Sequence, residues 1–139
     1  MQYPATFTLN PETGCYFVQF RDIPEALTQG YSIEEATEEA KDALIVAMEF
    51  YFEKNQIIPM PSPVQEGDYE IDLPLSIWSK ILLLNTMLEQ NINQSELARR
   101  LHVQRQAVQR LVDLNYTTKI DAVVDALKVL GKHPVLSIA

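Results

Sequence analysis

Between Gln104 and Arg110 the chain reads QRQAVQR, and its polar residues are of the types that read duplex DNA. A glutamine amide can make paired hydrogen bonds to adenine, and a guanidinium can do the same to guanine through the major groove while also neutralising phosphate. No acid interrupts the stretch from Leu97 to Val112, whereas an ordinary solvated helix would mix Glu with Lys. Such side chains need a rigid helix to present them. Leu97, Ala98 and Leu101 recur at helical spacing, Val103 falls in a short turn, and Val108, Leu111 and Val112 form the inward face of a second helix. This is helix-turn-helix spacing, with helices expected over residues 94–101 and 104–113. Ala98 is small enough to let the two helices cross closely. His102 stands at the turn, where the backbone tends to become left-handed and Gly is the usual choice, but His tolerates that conformation better than most residues. The plainer alternative is a pair of amphipathic helices in a bundle with a polar surface.

The 139 residues carry a formal charge of -8, which looks wrong for a DNA-binding chain until it is divided near Pro74. Residues 1–74 hold three basic and fourteen acidic residues, a balance of -11; residues 75–139 hold eight basic and five acidic, a balance of +3. An acidic half joined to a basic half implies two different partners. The single cysteine, Cys15, has no intramolecular partner and suits a reducing compartment. No apolar run reaches membrane-spanning length, and the N-terminus MQYPATFTLN lacks a basic region followed by an apolar core. The expectation is a cytoplasmic protein with no membrane partner.

In the acidic half, Tyr3, Ala5, Phe7 and Leu9 alternate onto one side, NPETG makes a turn, and residues 16–20 return, a β-hairpin pattern. After breaks at Pro24 and Gly30, Ser32 with Glu35 forms a capping box that opens a helix over residues 33–54. Its apolar stripe is Ala36, Ala40, Ala43, Leu44, Ala47, Met48 and Tyr51; its other face carries Glu34, Glu38, Glu39, Asp42 and Glu49, with Lys41 the lone base. The proline-rich IIPMPSP is stiff and extended, and residues 70–73 alternate as a third strand. The order strand, strand, helix, strand makes a small α+β domain over residues 1–74, ahead of an all-α domain over residues 75–139.

The run FVQFRDIPEALTQGYSIEEATEEAKDALIVAMEFYFEKNQIIPMPSP resembles the N-terminal domain of HicB-type antitoxins. The likeness is carried by the strand ending at Phe20, Asp22 with Pro24, Glu25 and Ala26, Gly30, the helix start at Ser32 to Ala36, Ala43 and Leu44, and the exit through Ile58, Pro59 and Pro61. The resemblance implies a degenerate ribonuclease-H-like fold that covers a HicA-type toxin, an RNA-cleaving protein, and a C-terminal domain that represses the operon encoding both. An acidic surface suits a basic, RNA-binding partner. Glu34, Glu35, Glu38, Glu39 and Asp42 are the candidates for toxin contact, although a charge run on a helix is commonly its solvated face and Glu35 is engaged in capping. A nuclease of this fold would gather carboxylates on its strands to hold metal ions. The strands expected over Gln2–Asn10 and Cys15–Phe20 contain no Asp or Glu, and Glu12 and Asp22 are poorly placed to replace them. His102 and His133 are isolated from other metal-ligand types, and no phosphate loop or activated nucleophile is present. The reading is a binding protein without cofactor or metal, not an enzyme.

In the basic half a first helix over residues 75–90 turns Ile77, Ile81, Leu84 and Leu88 inward, with Trp78 as an anchor. After the two motif helices, a fourth begins behind Thr118, whose spacing to Asp121 resembles a cap, and ends at Gly131. This economy of helices and tight turns resembles the Cro and phage-repressor group. Carried onto this chain, the base-reading candidates are Gln104, Arg105, Gln106 and Arg110, with Gln109 beside them. Gln94 is the expected phosphate contact, and Asn115, Thr117, Thr118 and Lys119 are placed to touch the backbone across the groove. Arg99 and Arg100 serve either phosphate or surface solubility. One such unit reads only a few base pairs, so a homo-oligomer, a dimer or higher, is expected on operator DNA. The apolar tail HPVLSIA is either a dimer surface or a strand packed on its own domain. The competing reading is a stand-alone transcriptional repressor whose acidic half senses another ligand or protein.

Overall fold

The computed structural model describes Met1–Ala139 and contains a four-stranded antiparallel sheet and five helices. In chain order these are β1 (Gln2–Asn10), β2 (Cys15–Phe20), β3 (Leu27–Gly30), α1 (Ile33–Glu53), β4 (Tyr69–Asp72), α2 (Leu75–Glu89), α3 (Gln94–Leu101), α4 (Arg105–Leu111) and α5 (Ile120–Val129). The fold is mixed α+β. Two compact units divide the chain, Met1–Phe50 with Pro59–Leu73, and Tyr51–Ile58 with Pro74–Ala139. No helix is long and apolar enough to cross a membrane.

In the first unit the strand order is β3-β2-β1-β4. The expected hairpin forms, with Ala5 opposite Phe20 and Asn10 opposite Cys15. Its inner face buries Tyr3, Ala5, Val18 and Phe20, and β4 adds Ile71 opposite Tyr3. Phe7 stacks on Tyr69 with ring centroids 4.2 Å apart, whereas Leu9, expected to follow the same stripe inward, lies beyond the core and is exposed. The strand β3 corrects the expected strand, strand, helix, strand order. Leu27–Gly30 is too short and too polar to show alternation, and its conformation is imposed by pairing with β2, Tyr16 opposite Gly30 and Gln19 opposite Leu27.

Helix α1 begins as its capping residues direct, with Ser32 Oγ accepting the Glu35 N–H at 3.0 Å. Ala36, Ala40, Leu44, Ala47 and Met48 are its buried face. The small residues matter most at Gly30, where an added Cβ would lie 2.5 Å from the Ala36 backbone nitrogen and 2.7 Å from its Cα. The first turn of the helix therefore rests directly on the end of β3.

The proline-rich segment is pinned by hydrogen bonds. Tyr3 donates its hydroxyl to the Pro59 carbonyl at 2.7 Å. Arg21 grips Asp68 through both terminal nitrogens, at 3.1 and 2.7 Å, and also donates to Ser62 Oγ and the Pro63 carbonyl. Asp22 accepts from the backbone and hydroxyl of Ser62, both at 2.9 Å. The guanidinium of Arg21 holds the Asp68 carboxyl below its usual range, helped by the Gln65 N–H.

The second unit is built around α2. The expected stripe understates it: Ile81 and Leu84 are buried but Ile77 and Leu88 are only half-buried, and Trp78, Leu83 and Met87 complete a helix enclosed on nearly every side. Leu83 and Met87 join Leu97, Ala98, Val108, Leu111, Val123, Ala126, Leu127 and Leu130 in one core. The segment Tyr51–Ile58 belongs to this unit because the Asn85 amide exchanges two hydrogen bonds with Ile58, accepting its N–H at 2.8 Å and donating to its carbonyl at 2.9 Å. A single boundary at Pro74 does not account for that segment.

Replacing Gly30 by Ala is expected to lower the stability of the first unit by about 1 to 3 kcal/mol, because the new methyl group meets helix backbone rather than a movable side chain. Urea unfolding followed by circular dichroism measures it, and an unshifted midpoint would show that α1 can slide off β3 at no cost.

Candidate nucleic-acid interface

Helix α3 starts at Asn93, whose side chain accepts the Glu96 N–H at 2.8 Å. It ends at His102, which adopts the left-handed conformation, φ 58° and ψ 43°. The turn is closed by the His102 N–H on the Arg99 carbonyl at 3.2 Å and the Val103 N–H on the Ala98 carbonyl at 3.0 Å. Gln104 then takes the position before α4 in extended conformation, with its side chain making no cap. Leu97, Ala98, Val108 and Leu111 are buried as the spacing predicts, while Leu101 and Val112 are partly buried against the same core.

That packing leaves one outward face. Gln104, Arg105, Gln106, Gln109 and Arg110 are all exposed, around the buried Val108 and Leu111. Gln94 is half-buried in the first turn of α3. Asn115, Thr117 and Lys119 are exposed on the loop after α4, and Thr118 is half-buried there. The expected cap of α5 by Thr118 does not form. Lys119 holds that position without a side-chain bond, and the Thr118 hydroxyl turns instead toward the carbonyls of Arg110 at 3.4 Å and Tyr116 at 3.5 Å.

Those carbonyls belong to a cluster organised by Lys80, a residue the sequence reading left out. Only 2% exposed, Lys80 donates from Nζ to the carbonyls of Arg110 at 3.1 Å, Asp113 at 2.7 Å and Tyr116. The ammonium thus closes the electronegative end of α4 and ties the loop carrying Asn115, Thr117 and Lys119 to α2. Burial pushes its pKa below the usual lysine value, with Asp113 opposing. A signal was present: Lys80 lies on the inward side of α2 with Leu84 and Met87, four and seven residues on, where a lysine has no place unless it meets acceptors.

Arg110 lies with its guanidinium carbon 5.1 Å from the centre of the Tyr116 ring, so an aromatic that spacing did not single out orients one candidate. Arg99 and Arg100 both bind Glu96, Arg100 from Nε at 3.0 Å and Arg99 through two nitrogens, and these guanidinium groups draw the Glu96 pKa down to about 2. They are engaged along α3 itself, and Arg105 and Arg110 are the cations of the α4 face. Glu34, Glu35, Glu38, Glu39 and Asp42 stand exposed along α1 in the other unit. Asp22, weighed above as a metal carboxylate, is engaged by Ser62, and no three His, Cys, Asp or Glu side chains gather into a group that would hold a metal ion.

The sequence matches, over residues 2–82, the family described as HicB_like antitoxin of bacterial toxin-antitoxin system. It is 55% identical over 133 residues to the Antitoxin HicB of Escherichia coli (strain K12), covering 96% of each chain. The chain belongs to the HicB-like antitoxin family. Within that family it is 53% identical over 139 residues to Antitoxin HicB 1 of Photorhabdus laumondii subsp. laumondii, covering 99% of this chain and 87% of that one. It is 38% identical over 139 residues to the Antitoxin HicB of Pseudomonas fluorescens (strain Pf0-1), covering 99% and 95%. The family match ends inside α2, whereas the likeness to these HicB antitoxins runs on through α3, α4 and α5.

Exchanging Lys80 for Met removes the ammonium while keeping the stem, and leaves three carbonyls short of a donor. The expected loss is about 2 to 4 kcal/mol in the second unit. Hydrogen exchange checks its location: amides of α4 and of residues 112–119 should lose protection first, and uniform loss across the unit would contradict the capping role.

Proposed function

We propose that this HicB-like antitoxin neutralises a HicA-type, RNA-cleaving toxin by covering it with the acidic unit, and represses transcription of its own operon by placing α4 in the major groove of operator DNA. The observation that carries the DNA half is the outward face of α4, where Gln104, Arg105, Gln106, Gln109 and Arg110 are exposed together with no acid among them. In this reading α3 and α4 are a helix-turn-helix of the Cro and phage-repressor kind, Gln94 takes a phosphate, and Asn115, Thr117, Thr118 and Lys119 meet the backbone on the far side of the groove. The toxin half rests on family membership and on the charge of residues 1–74, which suits a basic partner and repels nucleic acid. The first unit is read as the degenerate ribonuclease-H-like domain, acting as a binding surface rather than a catalyst.

Specificity from so small a reading head requires two copies, with half-sites about 34 to 36 Å apart. The tail supplies an element for pairing. Gly131, at φ 82°, ends α5, and the Lys132 N–H closes on the Leu127 carbonyl at 3.0 Å. Beyond it Val135, Leu136 and Ile138 are 87%, 77% and 99% exposed and form no strand, which supports the dimer-surface reading of this segment. In the proposed dimer a second copy covers them.

Two measurements test the function. Tagged full-length protein co-expressed with the small gene beside its own should retain that gene's product and suppress its toxicity; recovery of the tagged chain alone would favour a stand-alone repressor. On DNA from upstream of the operon, Arg105→Ala should weaken binding by about 1 to 3 kcal/mol and relax preference at one position of each half-site. Equal retardation of operator and unrelated DNA by the unaltered protein would remove the repressor role.

A further inference from the structure

The surface of α1 is not acidic along its whole length. Glu35, Glu39, Asp42, Val46 and Phe50 recur at spacings of three and four residues and therefore lie along one side of the helix. All five are exposed, Val46 at 51% and Phe50 at 55%. Two large apolar side chains one turn apart, more than half bare on a helix whose opposite face is buried, are not needed by the core. The carboxylate of Glu49 flanks them, and Asp42 and Glu39 continue the stripe toward the N-terminus over about 16 Å from Glu39 to Phe50. An apolar centre with a charged rim is the anatomy of a protein-binding patch.

We infer that the Val46 and Phe50 pair is the anchor by which α1 binds the toxin, with Glu39, Asp42 and Glu49 as its rim. This rests on the toxin-binding reading above and narrows it from an acidic run to a mixed stripe centred further along the helix. Charge decides the occupant. From Glu35 to Phe50 the stripe holds three carboxylates and no cation, with Lys54 one turn beyond it, in a segment of net charge -11 over residues 1–74, so nucleic acid would be repelled and a basic partner is favoured over a second acidic copy. A basic protein offering an apolar side chain between Lys or Arg residues satisfies both parts of the stripe. The carboxylates then govern encounter rate and salt dependence, and the apolar pair governs dissociation.

The test uses full-length protein and the purified product of the neighbouring toxin gene in titration calorimetry. Val46→Ala with Phe50→Ala keeps good helix formers at exposed positions, so folding is preserved. This double variant should bind the toxin about tenfold or more weaker, mostly through faster dissociation, while retarding operator DNA as the unaltered protein does. Glu34→Gln with Glu38→Gln, on the flank of the helix, should change affinity by less than about threefold. Toxin affinity equal to that of the unaltered protein would overturn the inference, as would a change of oligomer size in light scattering without a change in toxin binding. If the unaltered protein does not bind the toxin, the toxin-binding reading fails and this inference with it. Should the double variant melt at lower temperature, Phe50→Gln alone provides the comparison, with the same expected direction.

Discussion

The ammonium of Lys80 sits where three backbone carbonyls converge, at the end of α4 and along the loop that follows. An α-helix leaves its last carbonyls without partners, and a helix as short as Arg105–Leu111 has little else to hold that end in place. Supplying the donor from the central helix α2 makes the orientation of α4 a property of the core rather than of a surface turn. Tyr116, whose carbonyl accepts a hydrogen bond from the Lys80 ammonium, in turn carries the ring beneath Arg110. If the α4 side chains read base edges as proposed, they must be held closely in place, and this bond network supplies rigidity beneath an otherwise solvated face.

The first unit reaches the same end by different means. Gly30 lets α1 start in contact with the last strand residue, while Arg21 and Asp22 bind the proline-rich return through Ser62, Pro63 and Asp68. The sheet and helix are thereby closed with few charges drawn inward. Most of the fourteen carboxylates among residues 1–74 remain on the surface, where their mutual repulsion costs little in water but gives the unit a field that a basic protein feels at a distance.

The division of charge between the two units makes the proposed dual role physically coherent. A basic RNA-binding partner and a stretch of DNA are of opposite sign, and one uniformly charged surface would serve one of them badly. Glu96 shows the same economy on a smaller scale: by taking both Arg99 and Arg100 it leaves Arg105 and Arg110 as the cations of the outward α4 face.

The hairpin, the start of α1 at Ser32, the left-handed His102 and the buried faces of α3 and α4 were legible in the sequence by itself, as were family and charge division. The family rests on resemblance; the others follow from period, turn chemistry or composition, which act over a few residues. The tertiary structure alone decided β3, since Leu27–Gly30 is a strand only because β2 offers its edge, and it decided that Thr118 would turn to the loop carbonyls rather than cap α5. It also decided the roles of Lys80 and Asn85, whose partners lie about thirty residues away, and the exposure of Val46, Phe50 and the tail. Whether a polar group finds acceptors, or an apolar one finds cover, depends on what the rest of the chain brings to it, and no local pattern records that.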